Sequence, residues 1–241
     1  MSGNLYLIRH GQAGTREHYD TLSPLGREQA RLLGDHLASQ GLCFRAAYSG
    51  GLCRQQETAR AVIDAYQRAG VPFPALQAET RWREFDLDHV YRGIAPQLSA
   101  ADPKFRREYE AMLEQVKASQ GEATAEVHRR WSPCDVKIVD AWIRGQHEYD
   151  GESWDAFRTR VSECRPGPSE ADGDVIVFTS ATPTAIFAGI TLDLHDERIL
   201  RIAGVLYNSS VTVLRLRGAQ MRLFSLNGVP HLSDPSQRTH R

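Results

Sequence analysis

Short apolar runs alternate along this chain with stretches of helical hydrophobic spacing, and that alternation limits the folds open to it. Asn4 to Ile8 (NLYLI) has the length and composition of a buried strand. Ser23 then supplies an N-cap, Pro24 suits the first helical position, and Leu25, Leu32, Leu33 and Leu37 recur on one face up to Gly41. Phe44 to Ser49 gives a second short strand. Thr58, Ala61, Val62, Ala65 and Tyr66 fall at i, i+3, i+4, i+7 and i+8 of a second helix that stops near Gly70. Strand, helix, strand, helix at this spacing predicts βαβ units and a mostly parallel sheet.

The same texture returns late in the chain. Ser153 caps a helix carrying Trp154, Phe157 and Val161, and Asp174 to Thr179 (DVIVFT) is a buried strand. Thr182-Pro183 opens a further helix, with Thr182 expected at its N-cap. Val211 to Arg217 and Met221 to Leu226 flank Gly218 as a hairpin. The polar tail after His231 is expected to be loose. Between Asp86 and Asp150 charge density rises and strand-like runs vanish. Two helices are expected there, one from Asp102-Pro103 with Phe105, Tyr109, Met112 and Val116 on one face, the other from Ser132-Pro133 with Val136, Val139 and Ile143. The expected organisation is one α/β domain over residues 1–241, interrupted by a helical insertion at 86–150.

Composition mainly excludes. Twenty-nine basic against 30 acidic side chains leave a net charge of -1, so no electrostatic footprint for nucleic acid is present. No run approaches 18 apolar residues, and Met1 leads directly into a strand-like segment, so neither membrane spanning nor secretion is expected. Cys43, Cys53, Cys134 and Cys164 lie far apart without metal-ligand spacing, and the nine histidines form no HxH or HExxH pattern. The expected setting is a reducing cytoplasm, with no metal or cofactor.

In an open parallel sheet, ligands sit beyond the carboxyl ends of the strands. The first strand brings Arg9, His10 and Gly11 to that edge. The second leads through Tyr48-Ser49-Gly50-Gly51 to Arg54, and the DVIVFT strand delivers Ser180, Ala181 and Thr182 to a helix N-terminus. Two guanidiniums, an imidazole and helix amides make a site for a phosphate dianion, and the imidazole is the one nucleophile among them.

These segments resemble the histidine phosphatase superfamily, also called phosphoglycerate mutase-like. The matching stretches are LYLIRHGQAG (5–14), LSPLGREQA (22–30), YSGGLCRQQETA (48–59), WRE (82–84), GES (151–153), DVIVFTS (174–180) and NSSVT (208–212). The resemblance implies a three-layer α/β/α fold with a mostly parallel central sheet, and a helical insertion over the active site. It implies that His10 is phosphorylated, that Arg9 and Arg54 bind phosphate, and that Glu84 is the acid that protonates the leaving oxygen. It further implies two-step hydrolysis without a metal, since the arginines supply the positive charge.

Two departures stand out. The family usually has a second histidine, followed by glycine, after the fourth strand. Here Ser180-Ala181-Thr182 stands there, and serine donates one hydrogen bond but adds no charge. Mutases of the family follow the acidic residue with a basic, aromatic stretch, whereas this chain has Phe85-Asp86-Leu87-Asp88, which favours hydrolysis over mutase chemistry. Ser180, Ala181, Thr182 and Gln12 join the arginines as candidate phosphate contacts, with Thr15 in the same loop as Gln12. Two readings stay open: a phosphatase acting on a small phosphate ester or a phosphoprotein, and a catalytically impaired phospho-ligand-binding protein on the same fold. Trp82, Tyr91, Trp131 and Trp142 line a pocket or belong to the core, His231 is expected to be structural, and the late hairpin leaves an edge through which two copies can pair.

Overall fold

The computed structural model describes residues 2–15, 19–119, 132–167, 172–218 and 220–240. Its sheet has six strands: β1 (Ser2–Arg9), β2 (Ala46–Ser49), β3 (Leu76–Ala78), β4 (Val175–Thr179), β5 (Val211–Arg217) and β6 (Gln220–Gly228), in the order β3-β2-β4-β1-β5-β6. The first four are parallel, and β5 and β6 add an antiparallel hairpin beside β1. Gly218, at φ 54°, takes up the left-handed backbone that the hairpin turn requires.

Side chains along the central strands divide between two cores. Ile8, Ile176 and Phe178 pack with Leu33, Leu37, Val62 and Tyr66 of α1 (Pro24–Ser39) and α2 (Cys53–Ala69). Leu5, Leu7, Val175 and Val177 face the other way, onto Phe157 and Val161 of α6 (Trp154–Ser162) and Ala185, Ile186 and Phe187 of α7 (Ala181–Thr191). Alternate residues pointing to opposite faces, both apolar, are what a parallel sheet covered by helices on both sides requires. Between β3 and α6 run α3 (Leu87–Ala101), α4 (Pro103–Ala118) and α5 (Pro133–Ile143). Their buried residues, Ile94, Phe105, Met112, Ile138 and Trp142 among them, share one core with the second sheet face.

Capping follows the sequence closely. Ser23, Asp102, Ser132 and Ser153 each accept a backbone N–H at a helix start, and Gly70 ends α2 in the left-handed conformation. Three elements depart from expectation. β3 has only three residues, α3 contains Gly93 and Pro96 and so breaks the helical pattern, and α8 (Asp196–Ala203) is a short polar helix with Ile199 buried against α7.

The tail after His231 is tied down rather than loose. Thr239 accepts the Asn208 N–H on its carbonyl (2.7 Å) and donates its hydroxyl to Asn208 Oδ1 (2.9 Å). Buried Gln29 of α1 donates to the Gln237 carbonyl (2.7 Å), and both Nε and Nη2 of Arg238 donate to the Leu232 carbonyl. Polar side chains that would mark a solvated tail here serve to fasten it.

His231 itself is buried, with Nε2 2.8 Å from Ser209 Oγ, and burial together with the nearby His36 holds its pKa down to about 4. Above pH 6.5 both folded and unfolded chains keep it neutral. As the pH falls from 6.5 towards 4 only the unfolded chain takes up the proton, which removes about 3 kcal/mol of stability. Chemical denaturation of the parent and of His231→Gln at pH 7 and pH 4.5 tests this: the parent loses more stability on acidification by about 2–3 kcal/mol.

Candidate active site

The β1–β4 register sets Arg9 opposite Thr179, so the residues that follow each strand meet at one edge. The His10 N–H continues the ladder onto the Thr179 carbonyl (2.9 Å), and the His10 carbonyl accepts from Ser209 N (3.1 Å) and Asn208 Nδ2 (3.4 Å). Gly11 then meets α1: a Cβ there would lie 2.3 Å from the Gly26 carbonyl oxygen, and one on Gly26 2.1 Å from that of Gln12. Close backbone approach is the physical reason that glycine follows the histidine. Thr58 of α2 accepts the Gly11 N–H (3.1 Å) and donates to the Arg54 carbonyl (2.7 Å), which joins loop and helix.

His10 is 2% exposed. Its Nδ1 is 2.7 Å from the Gly11 carbonyl and its Nε2 is 3.1 Å from Arg54 Nε. Burial, then the charges of Arg54 and Arg9, push its pKa well below the usual histidine value. The imidazole is therefore neutral at physiological pH. The carbonyl takes the Nδ1 proton and Nε2 keeps a lone pair.

Arg9 is buried and donates from Nη1 to the Leu206 carbonyl. Arg54, equally buried, places its guanidinium 4.7 Å from the centre of the Tyr19 ring and donates from Nη1 to Asp20 (3.0 Å). Asp20 also accepts the Cys53 N–H at the start of α2 (3.2 Å). One carboxylate thus covers both a guanidinium donor and a helix N-terminal amide, two groups that suit a phosphate oxygen.

Glu84 follows a single 3-10 turn at Thr80–Trp82, pinned by the buried, stacked pair Trp82 and Phe187 (centroids 4.9 Å apart). Its Oε2 accepts the Thr182 N–H (3.1 Å) and its Oε1 accepts the Phe85 N–H (3.3 Å). Burial raises its pKa, and the bonds from Thr182 and the Arg54 charge only partly offset that. Burial therefore favours the protonated carboxyl, the form that a general acid needs.

The helix after β4 begins at Ala181, so Ser180 is its N-cap and Thr182 lies inside the first turn, not at the cap. Glu84 caps the helix from outside. The Ser180 hydroxyl instead accepts from Gln55 Nε2 (2.8 Å), and Gln55 also donates to the Trp82 carbonyl (3.3 Å).

Arg9, His10, Arg54, Glu84, Ala181 and Thr182 share the wall of one cavity of about 1090 Å³. Ser180 and Gln12 are not in that wall: Ser180 is buried behind it, and Gln12 Oε1 accepts the Ser23 hydroxyl (2.8 Å). Thr15 is buried. Tyr91 lines the cavity, Trp82 and Trp142 are core, and Trp131 lies outside the described residues. Asp20 and Tyr19 lie in no matching stretch, and Gln55 lies in YSGGLCRQQETA without a role read from it. Asp20 and Tyr19 reach Arg54 across more than 30 positions of sequence, and Gln55 stands out only as a polar residue on a buried helix face.

The sequence profile of the histidine phosphatase superfamily (branch 1) matches residues 5–142, and the chain belongs to that superfamily. Mitochondrial serine/threonine-protein phosphatase Pgam5 of Caenorhabditis elegans is 25% identical over 172 residues, 67% of this chain and 55% of that protein, so the match spans little more than half of the relative. A 2,3-bisphosphoglycerate-dependent phosphoglycerate mutase of Rhizobium meliloti (strain 1021) is 39% identical over 74 residues, 27% of this chain and 34% of that one. Among solved structures, a phosphoglycerate mutase from Bacillus anthracis str. Sterne superposes with a TM-score of 0.59 at 18% identity, covering 96% of each chain. A mycobacterial glucosyl-3-phosphoglycerate phosphatase gives 0.51 at 22% identity, over 94% of this chain and 99% of that one. The fold is phosphoglycerate mutase-like.

Asp20 holds donors that a phosphate would use, so removing its charge should help an anion bind. Asp20→Asn is expected to tighten inorganic phosphate binding about two- to fivefold by calorimetry, the range of a half-exposed ion pair. Unchanged or weaker binding would contradict the competition.

Proposed function

We propose that this chain hydrolyses phosphomonoesters through a phosphohistidine on His10. One observation carries the reading: a buried imidazole, held at Nδ1 by the Gly11 carbonyl and at Nε2 by Arg54 Nε, lies in the wall of a cavity that Arg9, Arg54 and Glu84 also line. The names of the relatives, a protein phosphatase and a phosphoglycerate mutase, support phosphoryl chemistry.

In the first step Nε2 attacks phosphorus and the ester P–O bond breaks. Arg54 turns its donors from Asp20 and His10 to the phosphoryl oxygens, with Arg9 beside it, and together they balance the developing charge. The departing alkoxide takes the proton of the Glu84 carboxyl. In the second step Glu84, now ionised, accepts a proton from water as the water oxygen attacks phosphorus. The P–N bond breaks, inorganic phosphate leaves, and His10 is neutral again. Phe85-Asp86-Leu87-Asp88 stands where mutases of the family carry a basic, aromatic stretch, and Asp86 and Asp88 line the cavity, which supports hydrolysis over mutase chemistry. On this reading α3 to α5 form a cap that selects the substrate, and the setting is cytoplasmic.

A second reading, a phospho-ligand-binding protein without turnover, is favoured by one observation: the Ser180 hydroxyl faces Gln55 and not the cavity, so the residue at the second histidine's place gives phosphate no side-chain donor. The two readings separate on leaving-group chemistry. His10→Ala should abolish hydrolysis of every ester. Glu84→Gln should cost about 10²–10⁴ in kcat/KM on an alkyl phosphate, whose alkoxide needs the proton, and about tenfold or less on p-nitrophenyl phosphate. Phosphate binding without measurable hydrolysis of either ester would favour the second reading.

A further inference from the structure

We infer that the ester this site takes carries a long or bulky apolar group, not a small polar one. The inference rests on the phosphatase reading for its anion end and extends it to the rest of the substrate. About 1090 Å³ exceeds the usual range for a drug-sized ligand, roughly 300–1,000 Å³, and a phosphate with a few carbons would fill little of it.

Beyond the phosphate end the wall includes a group of apolar residues drawn from several elements. Met112, Leu113 and Val116 come from α4, Val136 from α5, and Leu200 and Val205 from α8 and just past it. Tyr91 adds its ring, and its hydroxyl already donates to the buried Asp135. Leu113, Val136 and Val205 are 40%, 49% and 60% exposed, among the most exposed large hydrophobics of the described residues. That three such residues from three separate elements face one cavity is a concentration of uncovered apolar surface, the mark of a ligand site. The charged residues of the wall beyond the phosphate end, Arg83, Arg92 and Arg201 against Asp86 and Asp88, differ by a single charge, so neither sign dominates there.

The geometry also fixes polarity. His10, Arg9 and Arg54 hold the phosphoryl group, Glu84 stands by the bridging oxygen, and the carbon chain then runs towards α4, α5 and α8. Each methylene buried there should multiply affinity by up to about fourfold.

The test uses two matched series, straight-chain alkyl phosphates and non-hydrolysable alkylphosphonates, from propyl to heptyl and below their micelle concentrations. Leaving-group basicity is nearly constant along the first series, so a slope in kcat/KM reports contact with the chain. We expect kcat/KM, and phosphonate affinity by calorimetry, to rise about two- to fourfold per methylene. Leu113→Asp and Val205→Asp, at positions exposed enough to tolerate the change, should each flatten that slope. A flat series in the parent, or a slope untouched by both variants, overturns the inference. Turnover with a flat series leaves the phosphatase reading standing alone. A phosphonate slope without turnover supports the apolar site and overturns the phosphatase reading instead.

Discussion

A guanidinium N–H can only donate, so Arg54 Nε at 3.1 Å from His10 Nε2 requires a lone pair on that nitrogen. The proton must then sit on Nδ1, where the Gly11 carbonyl receives it at 2.7 Å. Two contacts from opposite sides therefore set tautomer, charge and ring direction together. The rest of the site is arranged around them. Gly11 is small because α1 presses on it, and Thr58 fastens that loop to α2. Burial beside two cations keeps the imidazole from protonating.

The carboxyl across the cavity is tuned in the opposite sense. Burial raises the pKa of Glu84, while the Thr182 amide and the Arg54 charge pull it down without prevailing. Burial thus disfavours charge on both groups that line the cavity, lowering the pKa of the imidazole and raising that of the carboxyl. Asp20 adds another carboxylate to the cavity wall, bound to two donors that suit a phosphate oxygen. The free site is thereby neutralised locally, and an anion must compete for Arg54 rather than simply fall onto it.

Much of the scaffold could be read from the chain because its signals are local. Ser23, Asp102, Ser132 and Ser153 cap the helices they announce, and NLYLI and DVIVFT are strands covered on both faces. What escaped the sequence depends on distant partners. Thr182 has the chemistry of an N-cap, but Glu84, almost a hundred residues away, caps that helix, whose N-cap position falls two residues earlier at Ser180. The tail has the composition of a loose end, yet Gln29 and Asn208 supply its partners from elsewhere in the fold. Gln12 and Ser180 sit near the phosphate end in sequence but spend their polar groups on Ser23 and Gln55. The cavity wall was hidden for the same reason: Leu113, Val136 and Val205 show no shared pattern until α4, α5 and the turn after α8 bring them together.

The central claim is that His10 is a neutral imidazole with its proton on Nδ1 and a lone pair on Nε2. Nitrogen-15 NMR of the histidine side chains, with His10→Gln used to assign the signal, measures that state directly. The account predicts one Nδ1-protonated tautomer for His10 that is still neutral at pH 6.5, where an ordinary imidazole is half protonated. A His10 that titrates near 6.5 or above, or whose proton resides on Nε2, would contradict it.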